Sequence, residues 1–176
     1  MKLAFAFSLF VCSLVVADEP LSFDPLKATA EDCDRLANSH AWKWQCRTAE
    51  PQKLLLLSYY HFTRDAAGNW QTRQLVSSTD HSGKEKLDEV LVLLSIDREN
   101  IQFFNTFSRP NSGSVGASGE FKIPSKGFSF VGRGDGGLPT RIGKYLVLLA
   151  KIKDGKEPKQ LNDLSEFVSV DVTIAE

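Results

Sequence analysis

The apolar positions of this chain repeat mostly with period two. The clearest case is the C-terminal stretch over residues 166–174. There Val168, Val170, Val172 and Ile174 alternate with Ser169, Asp171 and Thr173. Strict alternation is the signature of a strand with one buried face. Trp42, Trp44 and Cys46 alternate in the same way with Lys43, Gln45 and Arg47. Residues 54–63 form a longer run rich in Leu, Tyr and Phe, suited to a strand buried on both faces. Arg64 to Asn69 reads as a turn, and residues 70–78 as the returning strand of a hairpin. Residues 144–153 predict another strand, with Leu146, Leu148, Ala150 and Ile152 on one face.

Residues 87–96 fit two periods. Leu87, Val90, Leu91 and Leu94 make a helical stripe, whereas the Val-Leu-Val-Leu centre suits a buried strand. The neighbouring strands favour the strand. Residues 100–107, 121–123 and 128–131 complete the β pattern. A single helix is expected over residues 30–39. Thr29 and Asp32 supply a capping signal, and Cys33, Leu36 and Ala37 share one face.

Two interior stretches break the periodicity. Residues 108–119 are dense in Ser, Gly, Asn and Pro, and residues 132–141 are rich in glycine. Both read as loops suited to binding, with Asn111, Ser112, Ser114, Arg133, Gly134 and Asp135 as candidate contact residues. Eight or nine short strands separated by Gly and Pro turns predict an antiparallel two-sheet β-sandwich with a short N-terminal helix. The alternative is a closed, calycin-like β-barrel. Gly68-Asn69-Trp70 resembles the Gly-x-Trp tripeptide of lipocalins, but it follows a long strand well inside the chain. That family's motif lies close to the mature start. No repeat or linker divides residues 18–176, which read as one domain.

The first seventeen residues follow a different pattern. Lys2 precedes a short apolar stretch, and Val15 and Ala17 put narrow side chains at the third and first places before Asp18. This is the layout of a cleavable secretory signal, and its apolar core is too short to span a bilayer. Cleavage leaves 159 of the 176 residues, with 20 basic and 22 acidic side chains. That near-balance argues against non-specific nucleic-acid binding and against docking on anionic membranes. A secreted or periplasmic destination is expected. Cys12 departs with the signal, and the remaining pair, Cys33 and Cys46, is expected to form a disulfide there.

The chemistry-bearing motifs have simpler structural readings. Arg133-Gly134-Asp135 spells the tripeptide that integrins read, yet it sits among glycines that suit a tight turn. Gly132, Gly134 and Gly137 match a dinucleotide-loop spacing, but no helix follows to receive a pyrophosphate. His40, His61 and His81 are not at metal-ligand spacing, so no metal or cofactor is expected. Asp80-His81-Ser82 holds triad residue types as adjacent residues, which cannot adopt triad geometry. His61 reads as a packed, hydrogen-bonded histidine, and Trp42 with Trp44 as core. The functional expectation is an exported, non-enzymatic binding protein that recognises a protein or a small ligand. The alternatives are a small exported hydrolase using carboxylates or a histidine, and a lipocalin-like carrier of an apolar ligand.

Overall fold

The computed structural model describes residues 22–47, 54–80, 87–97, 100–109, 113–132, 135–153 and 155–175. The signal segment and the region around His81 lie outside these residues.

Alternation becomes two antiparallel sheets packed face to face. The first contains β1 (Ser22–Leu26), β2 (His40–Arg47), β5 (Leu87–Ile96), β6 (Ile101–Arg109) and β7 (Gly113–Phe121), in the order β1-β2-β5-β6-β7. The second contains β3 (Leu54–Arg64), β4 (Trp70–Asp80), β8 (Ser129–Phe130), β10 (Tyr145–Ile152) and β11 (Leu164–Ala175), in the order β4-β3-β11-β10-β8. A short β9 (Thr140–Ile142) pairs with β10 as a hairpin. Each sheet ends in edge strands, so there is no closed barrel. The sandwich expectation holds, and residues 87–96 form a strand.

The core between the sheets is built from the predicted alternating faces. Trp42, Trp44 and Cys46 meet Leu55, Leu57, Tyr59, Val168, Val170 and Val172 there. Burial holds the Tyr59 phenol far above its ordinary pKa. In β10 the expected face is interrupted. A register shift between Val147 and Leu149 sends Leu148 and Leu149 into the central core. Val147 and Ala150 instead reach the opposite face of the sheet. A bulge inserts one residue and so reverses the parity that follows it.

The outer face of the second sheet carries its own aromatic cluster. Phe167 stacks on Phe62 at 4.4 Å between ring centroids, and Trp70 and Tyr145 meet Phe167 at 5.0 and 5.4 Å. The outer face of the first sheet carries a smaller cluster of Ala41, Leu91 and Leu93, against which Cys33, Leu36 and Ala28 pack.

Helix α1 (Ala30–Asp34) is shorter than expected. Its capping box forms as read: the Asp32 amide donates to the Thr29 hydroxyl at 3.1 Å, and the Thr29 amide donates to the Asp32 carboxylate at 2.9 Å. Lys43 reaches out from β2 to the same carboxylate at 3.0 Å and to Glu89 at 3.2 Å. Burial opposes ionisation of Asp32, but hydrogen bonds from Thr29 and Lys43 and the Lys43 charge outweigh it, so its pKa is lowered. The stabilisation is therefore full above the ordinary carboxylate range and is lost as pH falls through the lowered folded value. Unfolding free energies of wild type and Asp32→Asn from urea titrations should differ at neutral pH by about 1 kcal/mol and converge as the pH falls toward 2. A gap unchanged at low pH would contradict the assignment.

The expected disulfide is not formed. Cys33 lies on the helix side of the first sheet, while Cys46 points into the central core. The β2 backbone layer thus separates the two sulfurs. A disulfide needs Cα atoms within about 7 Å and Cβ atoms facing one another. Cys46 instead accepts the Trp44 indole N–H at 3.2 Å.

The expected loop at residues 108–119 is also corrected. Most of residues 108–119 is strand: β7 pairs with β6 along its length, from Ile101↔Phe121 to Arg109↔Gly113. Its small residues allow a close approach. A Cβ on Gly116 would collide with the Asn105 carbonyl oxygen. The glycine-rich stretch is held as well. Ala28 donates to the Asp135 carbonyl at 3.2 Å, Gly136 to Ala41 at 3.2 Å, and Gly137 to Leu26 at 2.7 Å. Lys43 donates to Gly137 at 3.0 Å. Residues 135–137 therefore act as a clasp across the diverging ends of β1 and β2.

Candidate functional site

Of the six predicted contact residues, Asn111, Ser112, Arg133 and Gly134 lie outside the described residues. Ser114 is on β7, where its hydroxyl shares a hydrogen bond with Ser108 at 2.8 Å. Asp135 is in the clasp beside β1 and β2. Intervening strands of the sheet separate these positions, so Ser114 and Asp135 do not form one site.

His61 is buried and hydrogen-bonded, as its sequence position suggested. Its Nε2 lies 2.7 Å from Glu166 Oε1, and Lys151 Nζ lies 2.6 Å from Glu166 Oε2. Sheet register explains the cluster. Glu166 pairs directly with Lys151 on β10, and its neighbour Val168 pairs with His61 on β3. Phe128 covers the group, with Lys151 4.9 Å from its ring centre. Glu166 thus ties two flanking strands together through charge-assisted contacts. Among the described residues, no hydroxyl or thiol is hydrogen-bonded to the imidazole. His40 is elsewhere, stacked on Phe130 at 4.7 Å.

A groove of about 490 Å³ opens at the start of β10. The edge-to-face packing of Phe62 and Tyr145, centroids 4.8 Å apart, sets two rings in its wall. Tyr60 adds a third ring and a phenol, and Thr72 and Ser169 add hydroxyls. Phe23 reaches in from β1 of the other sheet. Arg141 on β9 and Lys144 at the tip of the β9–β10 hairpin supply two exposed cations, and Asp171 on β11 one exposed carboxylate. Lys144 lies 5.4 Å from the centre of the Tyr145 ring. Among the described residues neither Arg141 nor Lys144 is in an ion pair. By contrast, Lys43 and Lys151 are committed to carboxylates.

The groove passes through the sheet edge instead of lying over one face. Ser169, Val170, Asp171 and Val172 are consecutive, and all four line it. Successive strand residues point to opposite faces. Phe23 of the opposing sheet lines it as well, so the groove reaches past the end of β11 and is not confined to the outer face. β10 pairs with β11 at Leu146↔Val170, and beyond that point no described strand takes this side of β11. The result is a notch. No protein-family model, curated protein or solved structure matches the chain.

Sequence reasoning missed this site because its residues come from six separate strands and the hairpin tip. A partial signal was present. Tyr60 and Phe62 have the opposite parity to Leu57 and Tyr59, which puts large aromatic rings on the face away from the central core. Lys144-Tyr145 directly follows Gly143, whose φ of +63° suits a tight hairpin tip. No helix among the described residues is long and apolar enough to cross a membrane.

Proposed function

We propose that the protein is an exported, non-enzymatic binding protein that holds its ligand in the notch between β10 and β11. One observation carries this reading: two exposed cations without ion-pair partners among the described residues stand beside four aromatic side chains in a single groove. Ring faces supply apolar contact area, and the cations supply an anchor for an anionic group. Export is supported by the signal-like first seventeen residues.

Anilinonaphthalene sulfonate, an aromatic anion, is a suitable probe. Saturable binding with enhanced fluorescence is expected. The Arg141→Ala/Lys144→Ala double variant should weaken it roughly tenfold, and added salt should weaken it in wild type. Both side chains are exposed, so the variant should keep its urea midpoint. Unsaturable binding, or equal binding by the variant, would contradict the groove. Secretion is tested separately by producing the full chain in a secreting host. Recovered protein should begin at Asp18; recovery with Met1 intact would contradict export.

A further inference from the structure

The lining of the groove specifies more than an aromatic anion, and this step rests on the groove being the binding site. Along its other side β11 is paired with β3 as far as Ala175↔Leu54. On the notch side the last pairing is Val170 with Leu146. Among the described residues, the backbone of residues 172–175 therefore has no strand partner on this side, leaving an edge about 14 Å long at roughly 3.4 Å per residue. In a strand, alternate residues turn their N–H and C=O toward each neighbour. Half of these residues consequently aim donors and acceptors into the notch.

The placement of the cations favours one direction. β10 runs antiparallel to β11 and begins at Tyr145, where the hairpin tip places Lys144. A segment filling the notch in line with β10 would run toward that tip and end against it. Arg141 and Lys144 stand at that end. We infer that the notch takes the C-terminal end of an extended peptide, added antiparallel to the open edge of β11, with its terminal carboxylate against Arg141 and Lys144. Alternate side chains of such a strand would face Phe23 on the inner side and Tyr60 on the outer side. Main-chain hydrogen bonds would give affinity, and these two walls would select side chains.

The test uses the mature chain and a fluorescein-labelled hexapeptide of alternating Val and Thr, read by fluorescence anisotropy. The peptide with a free C-terminal carboxylate should bind saturably, and its C-terminal amide roughly tenfold more weakly. Two further peptides carry N-methyl groups at alternate residues in the two possible phases. One phase should abolish binding and the other should retain it, because only one set of N–H groups meets β11. Equal binding by acid and amide, or by both methylated phases, would overturn the proposal. So would a lack of binding by the free-acid peptide, or displacement of anilinonaphthalene sulfonate by oligogalacturonate but not by peptide. If the sulfonate probe binds and the peptide does not, strand addition fails while the groove reading stands. If neither binds, both fail.

Discussion

Phe167→Ala should destabilise the protein by about 3–5 kcal/mol, read as a lowered urea midpoint at unchanged slope. Phe167 is fully buried and touches three rings: Phe62 in a parallel stack, Trp70 edge-on and Tyr145 at a tilt. Removing it deletes apolar burial, leaves a cavity, and loses aromatic contacts worth about 0.5–1.5 kcal/mol per pair. The effect reaches the site as well. Phe62 and Tyr145 both line the groove, and Phe167 is the ring behind them. Phe167→Ala should therefore weaken sulfonate-probe binding even where the variant is fully folded. A loss below about 1 kcal/mol, typical of a surface change, would mean that the outer cluster is not a packed layer.

Gly136→Ala should be severely damaging for a single added methyl, costing roughly 3 kcal/mol or more. The residue has φ of +104°, and a Cβ there would collide with the Ala28 nitrogen and lie 2.5 Å from the Leu26 oxygen. Both obstacles are backbone atoms held by the clasp, so neither can swing aside. Gly137 supplies the control. It has φ of +84°, and no heavy atom lies within 4 Å of the place an added methyl would occupy. Gly137→Ala therefore carries backbone strain without collision and should cost about 1 kcal/mol. Denaturant midpoints of the two variants separate close approach from strain. Equal losses would show that the clasp gives way, and that residues 135–137 are not fixed between β1 and β2.

The legible parts of the fold were those in which one strand face is buried. β11 and β2 announced themselves because Val, Trp and Cys occupy every second place, and each such place faces the central core. β7 was illegible for the opposite reason. It is an edge strand of Gly, Ser and Ala with nearly every residue exposed, so no apolar period marks it. Its pairing is held by β6, whose own pattern was clear. The bulge in β10 was hidden because a run of Leu and Val fits either parity. The cysteine pairing failed because sequence cannot report on which side of the β2 layer a short helix settles.

The notch was illegible for a topological reason. It exists because β11 outruns the start of β10, and strand order cannot be read from local periodicity. Tyr60, Arg141, Lys144 and Asp171 are spread along the sequence and meet only once β3, β11, β10 and β9 lie side by side. The glycine-rich stretch drew attention for its conformational freedom, yet that freedom serves a backbone clasp.

Amide hydrogen exchange along β11, followed residue by residue in the ligand-free mature protein, bears most directly on the open edge. Residues 166–170 sit between β3 and β10 and should exchange slowly throughout. Over residues 172–175, slow and fast amides should alternate, the fast ones facing the notch. Uniform protection out to residue 175 would mean that another part of the chain already pairs with this edge, and no notch would remain for a ligand.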